Sequence, residues 1–264
     1  MPLNWMKIDD TPFQVVLFLE DFHIDYLTQS SDLKEAIYIS LKANSDVEWF
    51  FRKRSLVFNT WFDEVEKELI GKKPSLGVRE AEKQILSAFN DWIVYICDPQ
   101  IYDNLSLTKW DKRELLDMTD FHNKRVVDIG PGTGIQTFPV ADLASVVYAV
   151  EPVKTLREYL RKKAKSKGFN NIYITEGLMT QLPFEDGFAD IVMSGHVFGD
   201  APKEEYEEML RVCKPDGMII LCPGNNDKDD NRHAFLVEKG FSWDRFEEPG
   251  DGIKRKYWKR ITSM

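Results

Sequence analysis

The sequence predicts an α/β protein, with a largely parallel sheet in the C-terminal part and a helical N-terminal domain ahead of it. Three observations carry that expectation. Residues 1–104 place their apolar side chains at helical spacing and show few strand signals. From Val126 onward, short apolar runs alternate with amphipathic segments, the pattern of parallel strands joined by crossover helices. The first of those runs ends in Asp128-Ile129-Gly130-Pro131-Gly132-Thr133-Gly134, a strand running into a glycine-rich turn. The domains are placed at 1–104 and 105–264.

Composition bounds the function. The chain has 264 residues, 43% of them hydrophobic and 30% charged, which is ample for one or two packed cores. The net charge of −9 disfavours broad nucleic-acid binding. Residues 1–104 carry most of it, with 11 Lys+Arg against 18 Asp+Glu, whereas 105–264 hold 24 against 26. Charges interrupt every apolar run before it reaches membrane-spanning length, and the N-terminus lacks the layout of a secretory signal. Cysteines 97, 213 and 222 are scattered, suggesting neither a zinc site nor a disulfide framework, so the expected setting is the cytoplasm and no metal is expected.

In the N-terminal domain, Val15, Phe18, Leu19, Phe22 and Tyr26 share one helical face. Ser45 and Glu48 have the spacing of a capping box opening a helix whose stripe runs from Val47 to Leu69, stopped by Gly71 and Pro74. A third stripe runs from Val78 to Ile96 and ends before Pro99. Three or four helices are expected, with the many aromatic rings as their core; lining of an apolar substrate pocket is the alternative. Residues 99–107 read as a linker, and Thr108 with Asp111 as the start of a helix reaching about Met118.

Glycines 130, 132 and 134 permit positive φ and keep side chains out of the turn, so a ligand can approach the backbone. A helix beginning near Ile135 would add free N–H groups, which suits a nucleotide-like cofactor. The dinucleotide fingerprint needs a glycine at position 135, where this chain has Ile135. Strand two, Val146–Val150, ends at Glu151-Pro152, 23 residues after Asp128. A carboxylate there can accept hydrogen bonds from both hydroxyls of a ribose. Strand three is 172–175, followed by Glu176-Gly177-Leu178-Met179, and strand four ends at Ser194-Gly195-His196. Asp200 reads as the N-cap of the next helix. Met218 to Leu221 form strand five, and 241–246 with 253–261 form an antiparallel pair at the sheet edge. The basic clusters 161–167 and 254–260 fit solvated faces or edge strands better than an anion site.

Several of these segments resemble one family. Asp128-x-Gly130-x-Gly132-x-Gly134 resembles motif I of the class I S-adenosylmethionine (SAM) dependent methyltransferases. Leu182-Pro183-Phe184-x-Asp186-Gly187-x-x-Asp190 resembles the segment between strands three and four of their small-molecule, quinone-biosynthesis-like branch. Leu210-x-x-Cys213-Lys214-Pro215-Asp216-Gly217 resembles their turn before strand five, with Asp216 in place of a glycine. The resemblance covers residues 105–264 and implies a Rossmann-like seven-stranded sheet beneath an N-terminal helical cap. It implies SAM as cofactor, held by Asp128, Gly130, Pro131, Gly132, Thr133, Gly134, Glu151, Pro152, Gly177, Leu178, Met179, Gly195 and His196. The helix near Tyr102 and Trp110 resembles the family's helix that closes over the cofactor. The expected activity is methyl transfer to a small, partly apolar acceptor under the cap.

His196 is the candidate general base, needed only if the acceptor loses a proton; the other reading has it packing beside the cofactor. The segment Ser194-Gly195-His196-Val197 lacks the Asn-Pro-Pro-Tyr pattern of adenine and glutamine N-methylation. The alternatives are a non-catalytic SAM-binding sensor or assembly protein, and a protein or RNA methyltransferase. A NAD-linked oxidoreductase is least favoured because of Ile135. Homodimerisation is left open.

Overall fold

The structure, a computed structural model, describes residues 7–105 and 108–262. Its contacts divide the chain into two units, Met1–Pro99 and Gln100–Met264.

The N-terminal unit begins with a 3₁₀ segment, Phe13–Phe18, where the sequence pattern suggested the start of a longer helix. Six α-helices follow among the described residues: α1 (Asp21–Tyr26), α2 (Lys34–Ala43), α3 (Ser45–Arg54), α4 (Leu56–Leu69), α5 (Val78–Ala88) and α6 (Asn90–Cys97). Both long stripes therefore break in two. The first breaks at Ser55, whose extended backbone and side-chain oxygen, accepting from Phe58 N at 2.9 Å, cap α4. The expected Ser45–Glu48 box does not form, because the Glu48 carboxylate is taken by Lys42 and Arg52. The apolar stripe survives the break: Phe51, Phe58 and Phe62 are buried, with Phe51 edge-on to Phe58 and Phe62 stacked on it at 5.5 Å.

The boundary falls at the first residue of α7 (Pro99–Asp103), a short helix where turn-forming residues had suggested a linker, and α8 (Arg113–Leu116) follows, shorter than expected. Seven strands then form one sheet: β1 (Arg125–Ile129), β2 (Val146–Val150), β3 (Ile172–Thr175), β4 (Ala189–Ser194), β5 (Cys213–Leu221), β6 (Ser242–Glu248) and β7 (Gly252–Arg260). Their order is β3-β2-β1-β4-β5-β7-β6. The first five are mutually parallel, and β7 runs antiparallel between β5 and β6. The connecting helices are α9 (Thr137–Ala141), α10 (Lys154–Ser166), α11 (Pro202–Val212) and α12 (Asn231–Glu238).

Strands covered on both faces need apolar side chains at successive positions, and β1 and β4 supply them. Val127, Ile129 and Val192 pack with Met209 and Val212 of α11 on one face. Val126, Ile191 and Met193 pack with Leu115 of α8 and Val140 of α9 on the other. Two local expectations give way. The helix after the glycine turn starts at Thr137 and lasts five residues. Lys254 and Arg255 are each 3% exposed rather than solvated, because β7 is an interior strand. They hold the loop after β5, Arg255 through Asp227 at 2.7 Å and Asp229 at 2.8 Å.

Candidate cofactor cleft and reaction site

The sheet order reverses between β1 and β4, since the chain runs outward through β2 and β3 on one side and through β5 on the other. Loops leaving two such strands diverge and open a crevice at their C-terminal ends. The register sets Ile129 beside Ser194, so Gly130 and Gly195 leave the sheet together. A cleft open to solvent lies there. Its walls are Asp128, Gly130, Pro131 and Gly132 from β1 and its turn, Ile135 and Gln136 beyond it, Gly195 and His196 after β4, and Pro223 after β5. Tyr102 and Trp110 complete it.

The glycines have distinct tasks. Gly130, Gly132 and Gly134 all have positive φ. A Cβ at Gly132 would meet open space, whereas one at Gly130 would lie 2.4 Å from Val197 Cγ2. At Gly195 it would strike the Gln136 amide at 1.7 Å. The turn is braced by a carboxylate: Glu151 Oε2 accepts from Gly132 N at 3.1 Å and its Oε1 from Val153 N at 3.0 Å.

Two buried acids dominate the electrostatics. Asp128, on the face of β1 that α9 covers, accepts from Thr137 Oγ1 at 2.6 Å, yet burial pushes its carboxyl up to about 7. Burial likewise raises Glu151 to about 7, against the pull of its two backbone donors. Buried carboxyls this easily protonated favour a cationic group beside them.

The aromatic walls are anchored from behind. Asp103 of α7 accepts from Lys163 Nζ at 2.5 Å and Tyr159 OH at 2.6 Å, both on α10, and Lys163 also donates to Thr133 O at 2.8 Å. Lys112 Nζ stands 3.7 Å from the centre of the Trp110 ring and donates to the carbonyls of Thr108 and Trp110. Burial raises the Tyr102 phenol to about 12, so it stays neutral.

Of the expected cofactor residues, Asp128, Gly130, Pro131, Gly132, Gly195 and His196 line the cleft. Thr133 and Gly134 lie behind the turn, and Glu151 reaches the cleft through Gly132 N. Pro152, Gly177, Leu178 and Met179 are not among the lining residues; Leu178 is exposed and Met179 buried. Asp200 is not a cap. Glu205, one turn into α11, instead gathers the N–H groups of Gly199, Asp200 and Ala201. Gln136 and Glu248 were missed in the sequence, and only Glu248 left a trace: it shares the inward face of β6 with Phe246.

Residues 127–221 match the family model described as a methyltransferase domain. This stretch is a class I, SAM-dependent methyltransferase domain. A protein-L-isoaspartate O-methyltransferase of Dictyoglomus thermophilum is 32% identical over 101 residues, 38% of this chain and 44% of that protein. A demethylmenaquinone methyltransferase of Bacillus pumilus is 30% identical over 117 residues, 42% of this chain and 50% of that protein. The chain thus spans about half the length of the curated relatives it matches. A SAM-dependent methyltransferase of Aquifex aeolicus shares the fold at a TM-score of 0.51 and 19% identity, over 63% of this chain and 98% of its own. The N-terminal helices lie outside the matched family model.

Proposed function

We propose that the protein transfers a methyl group from SAM to a small, partly apolar acceptor, with Asp128, the glycine turn and Gly195 holding the cofactor and His196 serving the acceptor. The observation that carries this reading is the cleft at the β1–β4 reversal, lined together by the buried Asp128, a bare-backbone turn and the His196 imidazole. SAM fits these residues. Its sulfonium and ammonium are cations suited to a site with two buried carboxyls, and Gly132 leaves room along the backbone. The buried oxygens Gln136 Oε1, Thr133 Oγ1 and Ser194 Oγ have no hydrogen-bond partner among the described residues, leaving acceptor and donor capacity around the cleft.

SAM supplies a methyl group on a sulfonium whose departure as a thioether needs no acid. What remains for the chain is alignment, exclusion of water and the acceptor's proton. Tyr102, Trp110 and Ile135 give an apolar wall, and His196 offers a nitrogen for the proton. The N-terminal helical unit, outside the matched domain, is proposed to select the acceptor, and a cytoplasmic setting accords with three free cysteines. Among the described residues no helix is long and apolar enough to cross a membrane.

The test is calorimetric titration with SAM, its demethylated product and NADH, followed by an acceptor screen that detects the demethylated product. Micromolar binding of SAM without an NADH response, and turnover with an acceptor, is the expected result. SAM binding with no turnover on any acceptor would support the sensor reading, and no SAM binding would sink the proposal. His196→Ala is expected to lower turnover about 100-fold, in the range a positioned base supplies, with SAM affinity within a few-fold of the parent.

A further inference from the structure

The cleft histidine has an unusual partner. Glu248, the last residue of β6, is wholly buried, and its Oε1 lies 2.8 Å from His196 Nε2. Its other oxygen, Oε2, has no hydrogen-bond partner among the described residues. Burying a carboxylate completely costs several kcal/mol unless a partner compensates, so the position needs a reason.

A structural ion pair with Lys254 is the plain explanation, and the geometry argues against it as the whole account. Lys254 Nζ stands 3.6 Å from Glu248 Oε2, beyond hydrogen-bond range. Its hydrogen bonds go to Asn226 and Asp251. Among the described residues, the one hydrogen bond of the Glu248 carboxylate is to His196. His196 is meanwhile held in a left-handed backbone conformation, φ 63°, with its N–H donated to Pro223 O at 2.8 Å. A bulky residue held there costs free energy, and such positions persist where the surroundings enforce them. Backbone and ring are thus fixed from two sides, while the ring lines the cleft.

We propose that Glu248 is a positioning residue for His196, an inference that rests on the proposed methyl transfer. By accepting the Nε2 proton, Glu248 selects the tautomer in which Nδ1 carries the lone pair, making it the ring's only acceptor. In the transfer, the acceptor atom forms its bond to the methyl carbon while the carbon–sulfur bond breaks and its electron pair stays on sulfur. The acceptor's proton passes to Nδ1, and the positive ring then lies against the Glu248 carboxylate until the proton leaves to water. This division of labour, one group taking the proton and a buried carboxylate orienting it, suits an acceptor that carries an O–H, N–H or acidic C–H.

The test has two readouts. In protein labelled with ¹⁵N-histidine, long-range ¹⁵N–¹H correlation reads the tautomer of each of the four histidines, with His196→Ala assigning the signal. Neutral His196 is expected as the Nε2–H form; the Nδ1–H form overturns the proposal, and neither result depends on knowing the acceptor. With a working acceptor, Glu248→Gln is expected to lower kcat about 10- to 100-fold with SAM affinity unchanged, and to do nothing more when added to His196→Ala. Additive losses in the double variant would make Glu248 merely structural. If SAM binds, the tautomer is as expected and no acceptor is methylated, the transfer reading fails while the pairing stands. Should Glu248→Gln not fold, the wild-type tautomer still decides.

Discussion

The two units bury polar groups for opposite ends. In the N-terminal helices the buried polar side chains among the described residues are His23, Ser40, Ser55 and Asn90, neutral groups within a packed aromatic core. In the sheet-containing unit they include Asp128, Glu151, Glu205, Glu248, Arg157, Lys254 and Arg255, and three of the four acids lie at or beside strand ends. One unit fills its interior with neutral groups, and the other accepts costly buried charge, in the case of Asp128 in the wall of the cleft itself. The contrast reaches pH. Burial pushes His23 down to about 3, so it stays neutral when folded but takes a proton when unfolded below about 6.5. That unit loses stability as pH falls. Asp128 and Glu151 are raised to about 7, so the unfolded chain gives up these protons first, and the sheet unit loses stability as pH rises from about 4 towards 7.

The largest expected effect falls on the glycine turn. In Gly134→Val the new Cβ would sit 2.5 Å from Phe138 and 2.7 Å from Leu160, at φ 89°. Overpacking and a left-handed β-branched residue together cost about 3–5 kcal/mol, read as a fall in the sheet unit's calorimetric transition with the helical unit's unchanged. Next comes Asp128→Asn, expected to weaken SAM binding yet stabilise the sheet unit by about 2 kcal/mol at pH 8 and not at pH 4. A loss of stability at pH 8 would mean that the Asp128 carboxylate is not strained by burial. His23→Gln should remove an acid sensitivity worth about 2 kcal/mol between pH 6.5 and 5, followed by hydrogen exchange of the α1 amides. The smallest is Ser55→Ala, which removes the cap of α4 for about 1 kcal/mol. Its cost should be the same at pH 5 and pH 8, since no titrating group is lost; a pH-dependent cost would break the division between the units.

What the sequence disclosed followed from how local each feature is. The glycine turn, the strand runs and the antiparallel 241–261 pair could be read because period-two burial and positive-φ demands act on neighbouring residues. The split at Ser55 was hidden by a stripe whose aromatic rings stay on one face across the cap, although Ser55 followed by Phe58 had N-cap spacing. Lys254 and Arg255 looked solvated because nothing in the local chain says that β7 lies between two strands. Glu248 was hidden most deeply, in the acid-rich run Glu247-Glu248, since its meaning depends on His196, 52 residues away.

The Glu205 carboxylate has one more consequence. By collecting three successive amides after His196, it fills with the protein's own negative charge the concave ring of N–H groups that would otherwise draw a phosphate or carboxylate. The N–H groups of Gly199, Asp200 and Ala201 are therefore already satisfied from within the chain and offer no grip to an anionic group from outside it.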